Sequence, residues 1–246
     1  MKLLLQLVLI VSIIICFQTS VKTDNSTLVN PTFLRDKKAV CLMGNRAAYY
    51  FLPGSGDALN NWLVFLPSGG WCENFTSCVE YNLSHSTGTP SHPTPADNFL
   101  DFYNWNRIYV RYCDGSSITG NSKKFQNDTM LYFRGARIFK AVMKELLEKG
   151  MRSATNALLA GESAGGVATM LHCDKFRALF PNSTRVKCLC DAGYFFPAKR
   201  YNYGNQSHFL SIFHGLIHMH RSSKALPISC TQELSPALYC ASLRTM

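Results

Sequence analysis

Thr155-Asn-Ala-Leu-Leu-Ala-Gly-Glu-Ser-Ala-Gly-Gly166 is the stretch on which the reading of this chain turns. An apolar run of strand type breaks at Gly161-Glu162-Ser163-Ala164-Gly165, a G-x-S-x-G pattern, and a helical stretch follows. The glycines have a steric reason. A serine on so sharp a strand-to-helix turn needs neighbours without side chains, and the turn then lifts its hydroxyl clear of the sheet. The amide of Ala164, opening the helix, is left free to face an oxyanion. Ser163 is therefore a candidate nucleophile and Ala164 a candidate oxyanion donor.

A second glycine-rich turn lies upstream. Trp62 to Leu66 is an apolar run closed by Pro67, Gly69 and Gly70, as expected of a strand buried on both faces. Backbone N–H groups in the Gly69-Gly70-Trp71 turn can point at a developing alkoxide, which makes Gly70 and Trp71 further candidate oxyanion amides. Arg107 to Tyr112 and Val186 to Cys190 read as strands, the latter ending in Asp191. The spacing predicts a helix from Asp128 to Lys149, with Leu131, Ile138, Val142 and Leu146 on one face and Gly150 as the stop. This order implies an α/β domain: a doubly wound, mainly parallel sheet with right-handed crossovers and helices on both faces. Sites in such sheets lie beyond the carboxyl ends of the strands. Gly70, Asp114, Ser163 and Asp191 all fall there, so Asp191 is a candidate site-lining residue.

A chain of 246 residues suits one large domain with a sizeable core. Met1-Lys2 precedes an apolar run from Leu3 to Phe17, too short for a membrane span and followed by Thr19 and Ser20. We read residues 1–22 as a signal peptide and residues 23–246 as the domain, secreted and not membrane-bound. Six sequons, at Asn25, Asn74, Asn82, Asn127, Asn182 and Asn205, and ten cysteines agree with an oxidising, glycosylating route. Losing Cys16 with the signal leaves nine cysteines, so at least one is expected unpaired, at Cys230 or Cys240. No C-x-x-C pair or His/Cys cluster has zinc spacing, and neither metal nor cofactor is expected. The net charge of +10 is scattered, which argues against nucleic acid and for a polyanionic partner such as an acidic polysaccharide. The chain reads as a monomer.

With these residues laid out, the chain resembles the plant pectin acetylesterases, a family that also includes the animal carboxylesterase Notum. The segments that carry the resemblance are Leu66-Pro-Ser-Gly-Gly-Trp-Cys72, Phe102-Tyr-Asn-Trp-Asn106, Val110-Arg-Tyr-Cys-Asp-Gly115, the elbow with His172-Cys-Asp174, Asp191-Ala-Gly-Tyr-Phe195 and Leu226-Pro-x-x-Cys-Thr231, colinear over residues 35 to 238. The resemblance implies an α/β-hydrolase-like fold and a secreted serine esterase that removes acetyl groups from cell-wall pectin (homogalacturonan). Ser163 would be its nucleophile, with Gly70, Trp71 and Ala164 as oxyanion amides.

Two departures matter. Glu162 stands where plant members usually carry Cys. The family's catalytic Asp and His lie downstream of the Leu-Pro-x-x-Cys motif, where this chain diverges after about Leu238. It reads as a C-terminally truncated member with an incomplete sheet. Near-background esterase activity is the expectation, since a serine without a base is a poor nucleophile. His172 faces away down its helix, while His208, His214, His218 and His220 follow in the right order for a base. Two other functions stay open: a catalytically dead glycan-binding protein, or a carboxylesterase acting on lipid-modified protein.

Overall fold

Strand β3 (Asn61–Leu66) buries Trp62, Leu63, Val64 and Leu66 on both sides of its pleat, so it must sit inside a sheet. In the computed structural model, which describes residues 29–85, 100–195 and 206–233, it does. β3 pairs in parallel with β4 (Asn106–Val110) on one side and β7 (Asn156–Glu162) on the other, and β7 pairs in parallel with β8 (Arg185–Asp191). Antiparallel β2 (Ala48–Leu52) and β1 (Thr32–Phe33) continue beyond β4, giving the order β1-β2-β4-β3-β7-β8. The chain runs from β3 out to β4 through helix α1 (Phe75–His85), then returns to the far side of β3 for β7 and moves on to β8. Loops after β3 and β7 therefore leave in opposite directions, which opens a crevice between them at the carboxyl end of the sheet.

One face of the sheet presents Trp62, Val64, Leu66, Ile108, Val110, Ala157 and Leu159. Against it pack Ile138, Phe139, Val142 and Leu146 of α2 (Gly135–Glu148) and Ala168 and Phe176 of α3 (Ala164–Arg177). Each fully buried aliphatic side chain contributes about 1.5–3 kcal/mol here. His172 joins this core: it stacks on Phe139 at 4.0 Å, and its Nε2 lies 2.9 Å from the Ile118 carbonyl. Helices α4 (Gln206–His218) and α5 (Ile228–Glu233) complete the described elements. No helix among the described residues is long and apolar enough to cross a membrane.

The structure corrects the helix expected from Asp128 to Lys149. Thr129–Phe133 is a strand, β6, paired antiparallel with β5 (Ser122–Gln126), and helix α2 starts only at Gly135. The reason is the turn. Asn127 and Asp128 both hold positive φ, 48° and 54°, the conformation that closes a two-residue hairpin with the right twist. Leu131 and Phe133 then alternate inward, so Leu131 meets the helical period by coincidence.

Three disulfides with both cysteines among the described residues brace the frame: Cys41–Cys113, Cys72–Cys78 and Cys173–Cys188, the last joining α3 to β8. The expected location of the odd thiol is corrected too. Cys230 is disulfide-bonded, and the free cysteine among the described residues is Cys190 on β8. β8 carries it toward the backbone of Gly166 and Gly193, a register that no cysteine spacing announces. The signal segment, Asn25, Asn205 and Cys240 lie outside the described residues.

Burial pushes the Cys190 thiol above its usual pKa, which keeps it less nucleophilic than an exposed cysteine. Alkylation of the native, unreduced protein should label Cys190 slowly and leave Cys230 untouched. Peptide mapping checks this, and rapid labelling of Cys230 would contradict the assignment.

Candidate active site

β7 delivers Ser163 to the crevice. Its backbone sits at φ 54° and ψ −118°, a region costing a non-glycine residue about 1–3 kcal/mol. Two backbone hydrogen bonds hold it there. The Ser163 amide donates to the Asp191 carbonyl at 2.9 Å, and the Ser163 carbonyl accepts from Val167 at 3.0 Å in the first turn of α3. The Asp191 carboxylate is exposed, so Asp191 supports the elbow through its main chain. A Cβ on Gly165 would lie 1.9 Å from the Leu66 carbonyl oxygen. Only glycine lets α3 begin this close to the end of β3, and that contact brings the elbow to the start of the Gly69-Gly70-Trp71 loop.

This loop is anchored from beneath. The Tyr112 hydroxyl donates to the Gly70 carbonyl at 2.7 Å and accepts from the Ser117 amide at 2.8 Å. A trans peptide points its C=O and N–H in opposite directions, so fixing the Gly70 carbonyl aims the Trp71 N–H away from Tyr112. The ring of Tyr112 lies flat against Gly69, where a Cβ would sit 2.1 Å from Cδ1. The Trp71 indole donates to Ser117 Oγ at 2.7 Å and meets the Phe195 ring edge-to-face at 4.7 Å. One residue on, the Cys72 carbonyl lies 2.8 Å from Nε2 of the buried His220, and the Cys72 amide donates to Gly115.

Residues 114–120 form the anchor. Asp114 is fully buried and accepts from the Ser116 hydroxyl; desolvation pushes its carboxyl up to about 6. Ser117 and Ile118 both adopt positive φ. Sequence reasoning placed Asp114 at a strand end and named His220 only as a possible base, and it missed the roles of Tyr112 and Ser117. The signal was present in part, since Tyr112 stands two positions beyond β4, which neighbours β3.

The pectinacetylesterase family model matches residues 22–243. The chain belongs to this family. The match is wider than the 35–238 span of the quoted motifs. Over 217 residues the chain is 44% identical to pectin acetylesterase 7 of Arabidopsis thaliana, covering 82% of this chain and 54% of that protein. Palmitoleoyl-protein carboxylesterase notum1a of Danio rerio is 32% identical over 186 residues, 69% of this chain and 36% of the relative. Among solved structures, the Wnt deacylase Notum from Drosophila superposes with a TM-score of 0.75 at 23% identity, covering 87% of this chain and 66% of that one, a likeness of fold. This pectinacetylesterase-family chain spans about half the length of the curated relatives it matches.

The histidines whose side chains are described have other employment, while the side chain of His208 lies outside the description. His172 and His220 are committed to the carbonyls of Ile118 and Cys72, and burial lowers their pKa values to about 4 and about 3. His214 and His218 stack on each other at 4.1 Å on α4 with exposed side chains. Among the described residues, no side chain hydrogen-bonds the Ser163 hydroxyl. Cys72, Cys78 and His220 do converge within 4.8 Å, a cluster that spacing did not foretell, but the two sulfurs are bonded to each other and offer no thiolate to a metal.

Two outcomes follow from this geometry. Tyr112→Phe strands the Gly70 carbonyl and the Ser117 amide, costing about 1–3 kcal/mol. A lower Tm and faster hydrogen exchange at the Trp71 and Ser117 amides are expected; unchanged exchange would refute the latch. The second concerns pH. His172 and His220 have folded pKa values below their ordinary 6.5, so their contribution is present above pH 6.5 and fades as pH falls toward 4 and 3. Asp114 has the opposite sign: its contribution is present below its ordinary 3.8 and is lost as pH rises through about 6. Two histidines outweigh one carboxyl, so Tm should decline between pH 6.5 and 4. His220→Gln should flatten that decline and Asp114→Asn should steepen it, as read by thermal unfolding.

Proposed function

We propose that this protein is a serine carboxylic ester hydrolase, secreted to the plant cell wall, whose substrate is the acetyl ester of pectin. One observation carries the reading: Ser163 is held at positive φ on an elbow that touches the base of the Gly70-Trp71 loop across the sheet's switch point. The Ser163 hydroxyl attacks the acetyl carbonyl. The charge that develops on its oxygen is met by the amides of Gly70, Trp71 and Ala164, each worth roughly 3–4 kcal/mol to the transition state. The sugar hydroxyl leaves, and water then releases acetate from the acetyl-serine. A base must take the Ser163 proton, and in α/β-hydrolases the acid and the base follow the nucleophile in chain order. His172 and His220 are buried with Nε2 against the carbonyls of Ile118 and Cys72, and neither hydrogen-bonds Ser163.

The substrate class rests on relatives and charge. The pectin acetylesterases are more similar to this chain than the Notum proteins, 44% against 32%, and a net charge of +10 suits a polyanionic polysaccharide. Three disulfides and four described sequon asparagines support the secreted route, with residues 1–22 as signal and the domain acting as a monomer.

Acetate release from acetylated pectin and from an acetylated aryl ester tests the reading, with Ser163→Ala as the partner variant. Whatever turnover the chain shows above background should fall to background in Ser163→Ala, since that hydroxyl makes the acetyl-enzyme bond. Turnover that survives the substitution would overturn Ser163 as nucleophile. Retention on pectin with no turnover in either protein would favour the glycan-binding function.

A further inference from the structure

Away from the elbow, α2 turns a row of cations outward. Arg137, Lys140 and Lys144 lie three and four positions apart, on one side of the helix, and line a cleft of about 770 Å³. Arg137 also lines an adjoining cleft of about 420 Å³, where Lys37, Lys38 and Arg134 join it. The two clefts meet at Arg137, which lines both, and we treat them as one groove; neither contains an elbow or oxyanion-loop residue.

The anions of this region are already engaged. Glu145 accepts the Arg35 amide at 2.7 Å, and the Arg35 side chain pairs with both Glu145 and Glu148. The six cations named above form no salt bridge among the described residues; Asp36 lines the cleft beside them, and Glu148 feels the charge of Lys144 without pairing to it. Arg134 shows the strain of this arrangement: partial burial and the charge of Arg137 depress its pKa. Like charges gathered at helical spacing cost stability, and a groove that keeps them unpaired is complementary to an extended anion. From Arg137 to Lys144 the row is roughly 10 Å long at 1.5 Å per residue, a line of charge rather than a point. None of the described sequon asparagines, Asn74, Asn82, Asn127 and Asn182, lines the groove, so glycans need not obstruct it.

We propose that this groove is a docking surface for the carboxylate-bearing backbone of a polyuronate, distinct from the crevice at Ser163. The choice of a carboxylated sugar polymer rests on the pectin reading above; the presence of a polyanion site rests on the groove alone. Its role is to hold the chain on the polymer while the crevice engages an acetylated residue, and salt should weaken it through screening.

The test is binding of the whole glycosylated chain to polygalacturonate that carries no acetyl groups, read by affinity electrophoresis and independent of any turnover. Lys140→Ala/Lys144→Ala and Lys37→Ala/Lys38→Ala remove exposed charges that form no salt bridge, and an unchanged Tm confirms that each variant folds. Each pair should weaken binding roughly tenfold. Lys175→Ala/Lys187→Ala removes the same charge from exposed positions elsewhere and should change binding less than about twofold. Equal losses in all three pairs would mean diffuse charge and overturn the site, as would full binding by the groove variants. Either result leaves the acetate assay with Ser163→Ala to stand or fall by itself.

Discussion

Helix α3 starts against the backbone of β3, and the missing side chain of Gly165 is what permits it. The rest of the site depends on this contact. It sets the strained serine beside the loop that follows β3, although the two segments are almost a hundred positions apart in the chain. It also orients the first turn of α3, whose free amides and dipole favour negative charge. The sheet order makes the contact available: β3 and β7 are parallel neighbours in register from Asn61 with Asn156 to Leu66 with Gly161.

The Gly69-Gly70-Trp71 loop obeys a second constraint, satisfaction of buried polar groups. Its carbonyls at Gly70 and Cys72 and its indole at Trp71 each find a partner in Tyr112, His220 or Ser117. The supporting segment is itself held by the buried Asp114 and by Gly120, whose amide donates to Ser116 Oγ at 3.0 Å. The loop's own groups are met, while Asp114 Oδ1 and His220 Nδ1 behind them have no hydrogen-bond partner, and a met group in a dry interior is costly to release. The loop is therefore shaped by the protein before any substrate arrives.

Much of this was legible in the residues. Apolar runs ending in glycine turns at Leu66 and Ala160 announced the parallel strands, and G-x-S-x-G announced the elbow, because the steric demand on Gly165 is local. The hairpin at Asn127-Asp128 was misread because Leu131 falls in helical phase with Ile138, while the turn that decides the matter involves two residues of ambiguous preference. Tyr112, Ser117 and His220 escaped because their roles depend on which carbonyl they meet across the fold. Cys190 escaped for a similar reason: disulfide partners are chosen in space, so counting thiols could not point to it, and Cys230 proved to be bonded.

The disulfides sit next to the site in the chain. Cys72 follows Trp71, and Cys113 precedes Asp114, so the loop and its anchor are each stapled one residue away. By loop-closure reasoning the Cys41–Cys113 and Cys72–Cys78 bonds remove about 4 and about 2 kcal/mol of disorder from the unfolded chain. Assembly of the Gly69-Gly70-Trp71 loop is thereby tied to oxidative folding. A chain made where thiols stay reduced would keep its hydrophobic sheet but would lose the covalent restraint on the loop and its anchor. Production in an oxidising, disulfide-forming environment is thus a condition for the shape of this loop as well as for yield.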